Sequence, residues 1–261
     1  IVSLKGGVAP NMVPDYCECE LEIDSQVQEE ISDIIKQYEN DKDIDIDLSE
    51  NKCIIKTKGI AVASSIPDKG KNAIAKLFKI IGQMPFESSS QGVFVKFIAD
   101  NIGEQVNGEN LGIQMEDNVS GCLTLNIGIA AMDKKQGKII LDIRYPVKKS
   151  EKEIMNILED KISATGIALE KGNCKAPLFV PKDHFLIKTL GRVYEEVTGD
   201  KAELLSIGGG TYARALDNMV AFGGLFPGRE ILAHRNDEFI YIEDLIKMTK
   251  IYVPAIKLLT E

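Results

Sequence analysis

Tryptophan is absent from this sequence, only two histidines are present, and aromatic residues make up 6% of the chain. No run of about 18 apolar residues occurs, and residues 1–7 lack the basic start and apolar stretch of a signal peptide. A basic excess is missing as well, because the formal net charge is −9 and Lys and Arg are scattered. We therefore expect a soluble cytoplasmic protein that binds neither nucleic acid nor membrane.

Cysteine is too sparse and too scattered for a disulfide framework. The five cysteines are an odd number in a sizeable chain, which favours reduced thiols. Cys17 and Cys19 form a C-x-C pair that has two interpretations, a metal site or packing on one face of a strand. No second Cys or His pair lies nearby, so strand packing is the preferred interpretation.

The length of 261 residues exceeds the usual size of one domain, and the hydrophobic fraction of 44% is ordinary for globular proteins. The first part of the chain has the periodicity of an α+β fold. Ser25 is a candidate N-cap for its first helix. The predicted strands are 1–5, 17–23, 44–48 and 53–57, and the predicted helices are 25–38, 70–81 and 93–101.

A second stretch repeats this plan. It contains predicted strands at 122–131, 137–144 and 167–171 and a helix at 150–165. Ser150 and Glu153 form a capping box at the start of that helix. Antiparallel strands covered by helices on one face are expected for both stretches.

After Pro177 the pattern changes to alternating helix and strand, as in an α/β domain. The predicted elements are a helix at 183–198 ended by Gly199, a strand at 202–207, a short helix at 212–216, a strand at 219–223 and a helix from Ile242. These strands are too few for a sheet with both faces covered. We therefore expect the rest of the sheet to come from sequence upstream of Ile1 or from another chain, so that Ile1 begins a fragment or a processed product.

Few residues can carry chemistry. The turn from Gly208 to Thr211 offers backbone N–H groups for an anion, although a tight turn with positive φ explains its glycines equally well. His234 is either a metal ligand or an ordinary histidine, and His184 and Arg214 are expected to be structural. Arg144 ends a strand, where it could bind a carboxylate or form a surface ion pair.

Several separated segments resemble the PepV-like dipeptidases, relatives of carnosinase and aminoacylase. The matching segments, in chain order, are 6–15 (Gly-Gly-Val-Ala-Pro-Asn-Met-Val-Pro-Asp), 142–146 (Asp-Ile-Arg-Tyr-Pro), 208–214 with 218–223, and 233–241. The resemblance implies a dipeptidase with two zinc ions, for which manganese or cobalt could substitute. It also implies a lid domain at 1–175, with halves at 1–86 and 119–175, and the C-terminal part of the catalytic domain at 176–261.

Individual roles follow from the same resemblance. His234 matches a metal ligand, and Arg144 matches the residue that binds the free carboxylate of a dipeptide substrate. Asn11 matches a lid residue that faces the substrate, and the backbone of Gly210 and Thr211 matches a turn that also receives the carboxylate. The duplicated lid implies a monomer, because the second half would occupy the place of a partner; an assembly module is the alternative.

Two departures from the family pattern stand out. The family has an oxyanion-stabilising His in a Gly-x-x-x-His-x-x-x-Pro-x-x-Gly-x-Asn segment, and here residues 59–72 place Ala63 at that position. The N-terminal segment with the other metal ligands and the general-base Glu has no match, so we expect this chain alone to be inactive. A catalytically impaired relative that binds peptides or carboxylates is the alternative function.

Overall fold

The computed structural model describes residues 1–86, 89–232 and 237–261. The chain forms two units, Ile1–Pro177 and Leu178–Glu261.

A six-stranded antiparallel sheet organises the first unit, and a two-stranded hairpin is separate from it. The strands are β1 Ser3–Gly6, β2 Tyr16–Glu22, β3 Ile44–Ser49, β4 Lys52–Lys58, β5 Glu116–Asp117, β6 Gly121–Cys122, β7 Thr124–Asp133 and β8 Gly137–Arg144. The six-stranded sheet has the order β3-β4-β2-β1-β7-β8, and β5 pairs with β6 in the hairpin. Both stretches predicted from the sequence therefore share one sheet, and the short β1 lies between them.

Side chains alternate between the two faces of this sheet, as the period of a half-buried strand requires. In β2, Cys17, Cys19 and Leu21 are buried, whereas Glu18 and Glu20 point to the other face. Burial raises the pKa of the Cys17 and Cys19 thiols well above the ordinary value. Both side chains are 0% exposed within the hydrophobic core, which confirms the preferred interpretation that these cysteines pack on one face of a strand.

Four helices contribute side chains to the core that this sheet buries. They are α1 Gln28–Lys36, α2 Ala73–Ile81, α3 Ser90–Asn101 and α4 Glu151–Ile162. The Ser150 hydroxyl accepts from the Glu153 amide, so the predicted N-cap of α4 is confirmed. Ser25 is not a cap: the Asp24 carboxylate accepts from the Gln26 amide and begins a 3-10 turn that precedes α1.

The predicted strand at 167–171 is wrong. These residues follow α4 without forming a sheet ladder, although Glu170 pairs with Lys138 of β8 through a surface ion pair. Their alternating apolar residues are typical of a strand, but a strand also needs a neighbouring backbone to bind.

The second unit contains α5 Phe185–Thr198 and α6 Ile242–Thr260. Gly199 ends α5 with φ +77°, a conformation that favours glycine, as predicted. The small core of this unit is formed by Leu190 and Val193 of α5 with Ile251 and Ala255 of α6.

The predicted strands at 202–207 and 219–223 do not form in this unit, whose described residues include no β-strand. A strand needs a neighbouring strand to bind its backbone groups, and the described part of the unit contains none, so these two segments stay outside a sheet. Many large apolar side chains are left exposed as a result. They include Leu205 at 80%, Tyr212 at 95%, Leu216 at 69%, Ile242 at 77% and Val253 at 65% exposed.

The predicted mixed α/β and α+β class, an antiparallel sheet with helices, is confirmed. Within residues 1–86, 89–232 and 237–261, none of the helices combines the length and the apolar character that a membrane crossing needs.

Candidate functional site

Asn11 and Ala63 lie on two backbone segments that run antiparallel beside each other. Met12 and Ala63 form an isolated β-bridge. The Val13 amide donates to the Val62 carbonyl at 2.8 Å, and the Ser64 amide donates to the Asn11 carbonyl at 3.0 Å. Both Asn11 and Ala63 are exposed, so their side chains are accessible to a ligand.

Arg144, the last residue of β8, reaches this pair of segments through its side chain. Its Nε donates to Asp142 Oδ1 at 3.0 Å, and its Nη2 donates to Asp142 Oδ2 at 3.2 Å and to Ser64 Oγ at 2.7 Å. Ser64 is completely buried and immediately follows Ala63. The structure therefore brings together three of the sequence-predicted site residues, Asn11, Ala63 and Arg144.

The loop that contains Asn11 packs closely against β7 at two glycines, Gly7 and Gly128. Gly7 has φ +76°, and a Cβ built on it would lie 1.9 Å from the Gly128 carbonyl oxygen. Gly128 lies at an irregularity of β7 between Ile127 and Ile129, and a Cβ there would meet Pro10 O at 2.2 Å. Only glycine permits such backbone approach at both positions.

Asn126, which no sequence motif identified, holds the same loop through its side-chain amide. Its Nδ2 donates to the Pro10 and Met12 carbonyls at 3.2 and 2.9 Å. Its Oδ1 accepts from Asn72 Nδ2 at 2.9 Å, and Asn72 also caps α2 through the Ala75 amide. The available signal was one amide within the apolar strand β7, because a buried polar side chain needs partners.

Gly210 and Thr211 belong to the second unit. The Thr211 hydroxyl accepts from the Ala213 amide and begins the 3-10 turn Tyr212–Ala215. Gly209 and Gly210 do not have a left-handed φ. No described atom lies within 4 Å of a Cβ built on either residue, apart from the adjacent chain. Backbone conformation and local packing therefore do not explain these two glycines.

His234, the predicted metal ligand, lies outside the described residues. His184 is the N-cap of α5, where its Nδ1 accepts from the Leu186 amide at 3.2 Å, so its structural role agrees with the expectation. Across the described ranges, no cluster of three or more His, Cys, Asp or Glu side chains could hold a metal ion. A zinc site needs at least three protein ligands, so the described residues by themselves do not make one.

An arginine clamp joins residue 229 to the start of α6. Arg229 Nε and Nη2 donate to the two carboxylate oxygens of Asp244 at 2.8 and 2.9 Å. Its guanidinium also lies 4.0 Å from the centre of the Tyr241 ring. Asp244 is only 6% exposed, and a buried carboxylate requires such a bidentate partner.

Asp117 supports the chain that follows Arg144. It accepts from the amides of Ser120, Lys148 and Val119 and from the Ser120 hydroxyl. These hydrogen bonds, that of the Ser120 amide first, hold the pKa of Asp117 well below its usual value of 3.8. The carboxylate form thus fastens the loop before β6 to the loop after β8.

Replacing Asp117 with Asn should destabilise the first unit at neutral pH, because the Asn side chain has an NH2 group in place of Oδ2, and that group cannot accept from the Lys148 amide. A lowered pKa stabilises the folded state above the unfolded value, and that contribution is lost as the pH falls through the folded pKa. The difference in urea unfolding between wild type and Asp117→Asn should therefore shrink below pH 3.8. Asp68→Asn, at an exposed carboxylate beside Lys69, is the control; an Asp117→Asn defect that does not change with pH would contradict the argument.

Similarity to known proteins extends along almost the whole of this chain. “Putative dipeptidase YtjP” of Bacillus subtilis (strain 168) is 36% identical over 259 residues, which cover 98% of this chain and 55% of that protein. “Putative dipeptidase” of Staphylococcus epidermidis (strain ATCC 12228 / FDA PCI 1200) is 33% identical over 262 residues, with 98% and 55% covered. The chain therefore spans about half the length of these relatives. The model of the peptidase family M20/M25/M40 matches residues 21–258, and the chain belongs to this family.

Proposed function

We propose that this chain is the substrate-binding lid and the C-terminal catalytic part of a metal-dependent dipeptidase. Family membership and the names of the relatives support peptide hydrolysis. The observation that carries the proposal is the fixed guanidinium of Arg144 beside the segments of Asn11 and Ala63. An arginine fixed in this way suits the carboxylate of a short peptide.

In this proposal, the lid comprises residues 1–175 and the catalytic part residues 176–261. Arg144 binds the C-terminal carboxylate of the substrate, and the Asn11 amide contacts the substrate from the neighbouring segment. The amides of Gly210 and Thr211 are a second candidate group for binding a substrate carboxylate. The absence of a steric reason for Gly209 and Gly210 supports this role, because a missing side chain lets a ligand approach the backbone.

Peptidases of this family are generally metal-dependent. We propose two zinc ions, with His234 as one ligand and the other ligands outside this chain; such ions would activate water for attack on the peptide carbonyl. The exposed apolar side chains of the second unit support a larger catalytic domain that covers them. Ala63 has no donor for the developing oxyanion, so turnover is expected to be slow.

Replacing Arg144 with Lys should raise the KM of the full-length protein for dipeptides about 10- to 100-fold, because a charge-assisted contact with the substrate carboxylate is lost. The assay uses dipeptides with free termini in zinc, manganese or cobalt. The same dipeptides with a C-terminal amide should show little change. Arg192→Lys, on the exposed face of α5, is the matched control.

An equal loss for acids and amides would contradict the role of Arg144. Activity that persists after exhaustive chelation would contradict metal dependence.

A binding protein without catalysis is the second candidate, and Ala63 favours it because the oxyanion donor is missing. Calorimetry of dipeptide binding with and without a chelator separates the two functions. A binder should retain its affinity after chelation and release no product.

A further inference from the structure

The guanidinium of Arg144 is attached to two side chains that no family motif assigned. Asp142 lies two residues earlier in β8, so its side chain is on the same face of the strand. Ser64 is 80 residues from Arg144 in sequence and belongs to the segment that pairs with the Asn11 segment. The Ser64 hydroxyl accepts from Arg144 Nη2 at 2.7 Å and donates to Asp142 Oδ2 at 2.8 Å, which closes a ring of three hydrogen-bonded side chains.

Burial makes this ring rigid. Ser64 is 0% exposed, and the side chains of Asp142 and Arg144 are 17% and 26% exposed. A free arginine side chain samples many rotamers, and ordering it costs free energy each time that a ligand binds. Two contacts from Asp142 and one from Ser64 fix the plane of the guanidinium before any ligand arrives.

We propose that Ser64 and Asp142 are positioning residues that hold Arg144 in the orientation in which it binds a peptide carboxylate. The carboxylate role of Arg144 rests on the function proposed above, whereas its positioning by Ser64 and Asp142 does not. Ser64 additionally ties Arg144 to the Asn11 segment, so the two substrate contacts keep a fixed spacing. The Asp142 carboxylate offsets the charge of Arg144, so that orientation rather than excess positive charge selects the ligand.

The first test uses NMR of the full-length protein labelled in arginine. The chain contains five arginines, and Arg144→Lys identifies the Nε–H signal of Arg144. In the wild type this proton should exchange slowly with water, because Asp142 Oδ1 accepts it. Ser64→Ala and Asp142→Ala should each accelerate its exchange about tenfold or more, and Ser64→Thr, which keeps the hydroxyl, should retain slow exchange.

The matched control is Ser65→Ala, at the next residue, whose side chain makes no hydrogen bond within the described part of the chain. It should leave the Arg144 signal unchanged. Unchanged exchange in both Ser64→Ala and Asp142→Ala would overturn the proposal.

The second test is the kinetics of dipeptide hydrolysis by the same variants. A lost positioning contact to a charged group should raise KM about tenfold and leave kcat nearly unchanged. Faster exchange together with a raised KM supports both positioning and the carboxylate role. Faster exchange without any effect of Arg144→Lys on KM supports positioning and rejects only the proposed carboxylate role. A fall of kcat alone, with KM unchanged, would overturn positioning as the function of Ser64 and Asp142.

Discussion

Replacing Asn126 with Ala is expected to lower the free energy of unfolding of the first unit by about 3 kcal/mol. The substitution removes two donors from the carbonyls of Pro10 and Met12 and one acceptor from the Asn72 amide. Asn126 is 2% exposed, so water replaces these partners poorly. The loop of Asn11 should loosen as well, since it loses its side-chain attachment to β7.

Hydrogen exchange of the buried strand amides of Cys19 and Ile55 measures this effect in the intact chain without assuming that both units unfold together. Asn156→Ala is the matched control, because Asn156 is exposed within α4 and Ala is the better helix former. It should stabilise slightly, by about 0.5 kcal/mol. Equal protection in Asn126→Ala and wild type would show that the amide network does not stabilise the fold.

Replacing Ala63 with His in the full-length protein should raise the kcat for dipeptide hydrolysis about 10²- to 10³-fold. The expectation rests on the proposed function, in which this position faces the oxyanion formed at the peptide carbonyl. Ala63 is exposed and is bridged to Met12, so a larger side chain can be accommodated without entering the core. KM should change little, because the contact forms mainly in the transition state.

Ala61→His is the control for this prediction. Ala61 is also exposed and lies in the same segment, but it has no family role, so its substitution should leave kcat unchanged. An unchanged kcat in Ala63→His, in a protein whose KM responds to Arg144→Lys, would show that residue 63 does not face the reacting carbonyl. If the wild type and Ala63→His both bind dipeptides but neither hydrolyses them, the binding function is favoured.

Local signals in the sequence predicted the elements that depend on local physics. The apolar periodicity of α2 and the alternation of Cys17 and Cys19 each identified the face that is buried. The caps at Ser150 and Gly199 were also predicted, because a cap needs only residues next to the helix end. The prediction of Ser25 as a cap was wrong, because the carboxylate of Asp24, one residue earlier, accepts from the Gln26 amide.

Contacts between distant residues were not predictable in the same way. The Asn126 amide bonds carbonyls more than 100 residues away, and Ser64 meets Arg144 only after the sheet has formed. The segments 202–207 and 219–223 have strand composition, but ladder formation depends on a neighbour that no local pattern reveals. Motif resemblance supplied Asn11 and Arg144 but not the side chains that hold them.

The position of β1 determines how the substrate-binding surface of the proposed lid can move. This four-residue strand pairs with β2 on one side and with β7 on the other, through residues Ser3 to Gly6 in both ladders. Asn11 lies in the loop between β1 and β2, which Asn126 of β7 holds, and Arg144 at the end of β8 is hydrogen-bonded to Ser64, the residue after Ala63. These hydrogen bonds join both sides of the sheet, so in the proposed lid Asn11, Ala63 and Arg144 should keep their spacing when the lid moves.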